Sequence, residues 1–203
     1  MAYLSENCEP ALSISAQVKS KAIKEFKITP QQLKLIGEKF QSNKTNGFAY
    51  LKGALEAEGY RVLEDWLDQR GFAYPAVMVF ASPNMIKNYQ KYGDMVSFDI
   101  TYNLLKNFST EGRRFRVGVF CVYDSNIRIL FAGLAIICRE TIVELYRVFE
   151  LFLRIHGKPP QSFITDEQQS FIGALEDLKQ KEYWTGVHLF DPWHALKNIR
   201  KTL

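Results

Sequence analysis

The sequence predicts a mixed α/β domain, with strands and helices in the order β-β-β-α-β-α-β-α over its last hundred or so residues. Three observations carry this. Arg113–Asp124 alternates side chains cleanly, and Ile127–Cys138 returns after a turn of hairpin length at Asp124-Ser125-Asn126. Glu140–His156 is apolar on most sides and stops at Gly157 and Pro159-Pro160, as a buried helix would. Beyond it, short apolar runs alternate with amphipathic segments.

Taken in order, residues 1–15 are polar and expected to be loose. Residues 16–75 read as a small helical module. Val18, Ala22, Ile23 and Phe26 mark one short helix. Thr29-Pro30 opens a second, which carries Leu33, Ile36 and Phe40. Phe48–Arg70 reads as mostly helical, with Tyr50, Leu51, Ala54 and Leu55 and then Val62, Leu63, Trp66 and Leu67 at helical spacing, interrupted at Gly59. From residue 76 the pattern changes. Val77–Ala81 is a short apolar run. Ser82-Pro83 then starts a helix that runs to about Lys91 and ends at Gly93. Met95–Leu104 is a strand-like run of Val, Phe, Ile, Thr and Tyr with Asp99 in its middle.

In the helix at 140–156, Thr141 and Glu144 are spaced as a capping box. Ser162–Thr165 is a short strand followed by Asp166. Glu167–Gln180 is an amphipathic helix with Phe171, Ala174, Leu175 and Leu178 inward. Val187–Phe190 is a last strand. Pro192–Leu203 opens a final helix with Trp193, Leu196, Ile199 and Leu203 on one face. Three antiparallel strands followed by αβ units is the order of the ribonuclease-H-like fold. There the fourth strand lies parallel to the first, which would bring Asp99 beside Asp166.

Composition narrows the classes. Net charge is +4, but the charge is uneven. Lys19–Lys52 holds eight lysines against Glu25 and Glu38, an excess of six positive charges. Lys19, Lys21, Lys24, Lys27, Lys34 and Lys39 are therefore candidate contacts to the phosphates of DNA, or else a solvated helical face. Cys8, Cys121 and Cys138 are odd in number with no CxxC pair, which argues against a zinc ribbon and a disulfide scaffold and favours a reducing compartment. No apolar run approaches the roughly 18 to 20 residues of a membrane span, and no membrane partner is expected.

A carboxylate inside an apolar strand is costly unless it is paired or binds a cation. Two Asp on neighbouring strands repel unless a divalent cation lies between them. Mg²⁺ suits one or two carboxylates completed by waters and phosphate oxygens. Asp99 and Asp166 are therefore candidate ligands of Mg²⁺ or Mn²⁺ for in-line displacement at phosphorus. Structural roles compete: Asp166 as N-cap of the following helix, and Asp99 paired with an arginine such as Arg114.

Residues 77–203 also resemble a known family. Phe80-Ala81-Ser82-Pro83, Lys91-Tyr92-Gly93-Asp94, Phe98-Asp99-Ile100-Thr101-Tyr102-Asn103, Gly118-Val119-Phe120, Pro159-Pro160, Ile164-Thr165-Asp166-Glu167 and Trp193-His194 with Lys197-Asn198 follow the order seen in transposases of Mutator-like elements. These belong to the ribonuclease-H-like DDE/D superfamily. The resemblance implies Mg²⁺-dependent DNA cleavage and strand transfer, a nuclear location, and Asp99 and Asp166 as the first two acids of the metal triad. His194 corresponds to the histidine of the family's Cys-x-x-His element. Its Cys position is Asp191, which with Pro192 also reads as a helix start. The family's catalytic Glu lies on a later helix, past Leu203. The resemblance therefore implies a core incomplete at its C-terminus, with impaired cleavage, partnered by a missing C-terminal segment or by further copies of itself. The competing reading is a domesticated, non-enzymatic DNA-binding or regulatory protein on the same fold.

Overall fold

The computed structural model describes residues 47–65, 77–101, 109–110 and 113–192. The helices expected over residues 16–40, the six candidate phosphate-contacting lysines from Lys19 to Lys39, and His194 lie outside the described residues.

Among the described residues the elements run α1 (Gly47–Ala57), β1 (Arg61–Asp65), β2 (Val77–Ala81), α2 (Pro83–Tyr92), β3 (Met95–Thr101), β4 (Ser109–Thr110), β5 (Arg113–Arg114), β6 (Arg116–Tyr123), β7 (Ile129–Ile137), α3 (Ile142–His156), β8 (Ser162–Thr165), α4 (Gln169–Gln180) and β9 (Val187–Phe190). Seven strands form one sheet in the order β1-β2-β7-β6-β3-β8-β9. The pairs from β1 through β2, β7 and β6 to β3 are antiparallel. The pairs β3–β8 and β8–β9 are parallel. The sheet is thus mixed, and the strand after α3 lies parallel to β3, as the sequence order implied.

One expectation is overturned. The helix foreseen across Phe48–Arg70 ends at Ala57, and Val62 and Leu63 belong to a strand. Gly59, at φ 80°, takes the left-handed turn that closes α1, while Gly59 N–H donates to Glu56 O and Tyr60 N–H to Leu55 O. β1 then pairs along β2 from Arg61↔Ala81 to Asp65↔Val77. Its position is pinned from outside. Arg61 Nη1 donates to Ile155 O at 3.0 Å, Lys52 meets Glu64 at 3.0 Å, and Arg147 on α3 meets Asp65 at 3.0 Å. Pairing with a fully buried neighbour outweighs helical spacing in five residues.

Other local signals are realised with small changes. Ser82 caps α2, accepting from Met85 N–H at 3.2 Å, with Pro83 at the first position. Thr141 caps α3 by accepting from Glu144 N–H at 3.2 Å. Glu144 does not complete the box. Its carboxylate accepts from the backbone N–H of Arg139 instead, holding the entry to the helix.

Helices α2, α3 and α4 cover one face of the sheet. The cover is aromatic: Phe120 of β6 stacks on Phe152 of α3 at 3.8 Å, Phe98 meets Phe149 edge-on at 5.2 Å and Phe171 at 5.9 Å, and Phe163 packs against Phe149 at 5.0 Å. Each such ring, fully buried, stabilises the fold by roughly 2 to 3 kcal/mol. By strand alternation, Ser97 and Asp99 face the other side.

The β6–β7 hairpin turns through Asp124–Arg128. Ile127 there has φ 61° and is 81% exposed. A β-branched residue in this conformation costs about 1 to 2 kcal/mol and gains no burial in return. Ile127→Asn is expected to raise unfolding stability by about 1 kcal/mol, because asparagine tolerates this backbone. A urea midpoint that stays the same or falls would contradict this.

Candidate functional site

The parallel pair β3–β8 is in register from Met95↔Ser162 to Ser97↔Ile164. Carried on two residues, past the last pair and the end of β8, this register sets Asp99 level with Asp166. The outgoing connections diverge here, since β3 leads away to β6 and β8 leads through α4 to β9. Diverging connections at the carboxyl ends of parallel strands open a crevice, the usual place for a ligand in such sheets. The same ladder continues into β9. Thr165 pairs with Phe190 and the Asp191 N–H donates to Thr165 O at 2.8 Å, so Asp191 stands level with Asp166.

Each carboxylate is oriented by its own backbone. Asp99 Oδ1 accepts from Ile100 N–H at 2.8 Å. Asp166 Oδ1 accepts from Glu167 N–H at 2.7 Å, with Gln168 Nε2 at 3.5 Å from Oδ2. Both residues are half-buried. Asp166 is not the cap of α4. That helix starts at Gln169 with Gln168 at the cap position, so the competing structural role does not account for Asp166.

Thr165 is buried beneath this site. Its hydroxyl donates to Asp166 O at 2.9 Å and lies 2.8 Å from His188 Nε2. With its single proton committed, the hydroxyl accepts from His188, which fixes Nε2–H as the protonated nitrogen. Burial pushes the His188 pKa down, Lys179 adds to this, and Glu176 opposes it. The charge-neutral imidazole is thus the form that supports Thr165 and, through it, the Asp166 backbone. His188 and Asp191 face opposite sides of β9 by strand alternation, and among the described residues no group of three His, Cys, Asp or Glu side chains could hold a metal. Glu140, just before α3, is engaged by Arg116 at 3.0 Å.

The face around Asp99 is polar. Tyr123 Oη donates to Ser97 Oγ at 3.1 Å. Burial raises the phenol's pKa, the Ser97 bond opposes this, and the charge of Asp191 adds a smaller upward push. Neither Ser97 nor Tyr123 stood out in the sequence. The Ser-x-Asp alternation of β3 is the signal that could have pointed to Ser97.

The two carboxylates are oxygen donors of the kind a hard cation such as Mg²⁺ takes. No family model and no curated protein matches this chain. One solved structure that is similar is the HTLV-2 integrase catalytic core domain in complex with magnesium, in a trimeric form. It is 14% identical, with a TM-score of 0.33, over 51% of this chain and 63% of that one. The chain thus spans less than two thirds of that domain.

Proposed function

We propose that this chain is a core segment of a Mutator-like element transposase, acting on DNA in the nucleus, with Asp99 and Asp166 as its metal-binding acids. The observation that supports this reading best is the level placement of the two aspartates at the diverging carboxyl ends of β3 and β8. The sequence motifs around them supply the family.

Mg²⁺ or Mn²⁺, when bound, supplies charge neutralisation at a phosphoryl oxygen and acidifies a coordinated water or hydroxyl. The chain's own part is orientation. The Ile100 and Glu167 N–H groups aim one oxygen of each carboxylate. Thr165, held by His188, fixes the Asp166 carbonyl and with it the end of β8. Removing either carboxylate is expected to abolish metal-dependent cleavage.

The test is nicking of supercoiled plasmid DNA in Mg²⁺ and Mn²⁺ by the purified chain and by Asp166→Asn. A metal-dependent nicking that disappears in the variant is the expected result. Nicking that persists unchanged in Asp166→Asn would overturn the assignment.

A further inference from the structure

A second, basic site lies at the other end of the sheet. A groove of about 430 Å³ runs between α2 and the β6–β7 hairpin, where β6 ends level with the start of β3. Lys87 and Lys91 line it one helical turn apart, and Arg128 faces them from the hairpin. Among the described residues neither lysine has an acidic partner within 4.0 Å.

The one acid among the groove's lining residues, Asp124, is paired with Arg128. Its Oδ1 accepts from the Asn126 and Arg128 N–H groups, each at 2.9 Å, and its Oδ2 from Arg128 Nε at 2.8 Å. These bonds, the Arg128 backbone N–H first, hold its carboxyl below the usual range. The contact also sets the guanidinium. With Nε fixed on Asp124, both Nη groups keep their donors, on a side chain that is 71% exposed. A guanidinium fork meets phosphate oxygens two at a time. Half-buried Tyr92 and Leu130 add an apolar wall to the groove.

We propose that Lys87, Lys91 and Arg128 form a phosphate-binding groove for a nucleic-acid backbone. The two lysines are spaced much as successive phosphates along a strand, since side chains at i and i+4 lie about 5 to 6 Å apart at Cβ and reach further on flexible stems. The wall suits a sugar or base face, for which an acidic peptide has no repeating counterpart. The groove does not depend on the metal-binding reading of Asp99 and Asp166.

The test is binding of a fluorescein-labelled DNA duplex across a salt series in EDTA, for the full chain and for Lys87→Ala combined with Lys91→Ala. Both lysines are exposed, so the double variant should fold, and its melting curve checks this. In the double variant the slope of log K against log salt should fall by about 2, with affinity at low salt down by roughly tenfold or more. The remaining slope would come from other basic residues, the Lys19–Lys52 stretch among them. With EDTA present no metal site contributes, so a failed carboxylate site leaves this result unchanged and a failed groove does not. An unchanged slope in the folded double variant would overturn the proposal. So would displacement of the duplex by poly-glutamate as readily as by unlabelled DNA.

Discussion

Gly118→Val should destabilise the fold by roughly 3 kcal/mol, as overpacking of a full core does. A Cβ on Gly118 would lie 2.5 Å from Phe98 Cζ and 2.6 Å from Cε2. The ring has nowhere to retreat. It is 2% exposed, and Phe120 at 4.4 Å, Phe149 at 5.2 Å and Phe171 at 5.9 Å enclose it. Phe98 is also the residue before Asp99, so displacing it must move the strand that carries the carboxylate. The variant should therefore lose stability, measured by urea unfolding, and lose Mn²⁺ affinity as well. A Gly118→Val protein as stable as wild type would show that the Phe98 ring has room that this packing denies it.

Acidification should weaken the fold through His156. Its Nε2 lies 3.1 Å from Ala132 O, so Nε2–H donates there and Nδ1 is left buried with no hydrogen-bond partner. The ring stacks on Tyr89 at 4.0 Å and packs on Phe152 at 4.5 Å. A proton on Nδ1 would put an unpaired charge in this aromatic box. Burial therefore lowers the His156 pKa to about 4, the Ala132 carbonyl opposes this, and the Arg61 charge adds to it. The unfolded chain takes up this proton near pH 6.5, and the folded chain does not until near pH 4. The stability is complete above about pH 6.5 and is lost as pH falls towards 4, to a total of about 3 kcal/mol. His156→Gln should remove this part of the pH dependence. Unfolding free energies of wild type and variant that fall in parallel between pH 7 and 4.5 would contradict it.

The parts of the fold that read plainly from sequence were those with dense local signals. Ser82-Pro83, Thr141 and Gly157 punctuate helices by their own chemistry, and β6 and β7 are long enough to declare themselves. β1 was hidden because Val62, Leu63, Trp66 and Leu67 also fit a helix, and what selects the strand is β2, more than ten residues on. At the site, the residue types of Asp99 and Asp166 and, through the strand order, their adjacency were legible; the residue-by-residue register was not, since it depends on pairing across some 65 residues. The start of α4 at Gln169 instead of Glu167 decided that Asp166 is not a cap. The basic groove left no mark in the sequence, because Lys87 and Lys91 on one side and Arg128 on the other meet only through the fold.

The central claim is that Asp99 and Asp166 together hold a divalent cation. Calorimetric titration of Mn²⁺ at low salt into wild type, Asp99→Asn and Asp166→Asn tests it most directly. The account predicts a single weak site in wild type that vanishes in both variants, with all three proteins folded. Equal Mn²⁺ binding in wild type and both variants, or none in a folded wild type, would contradict it.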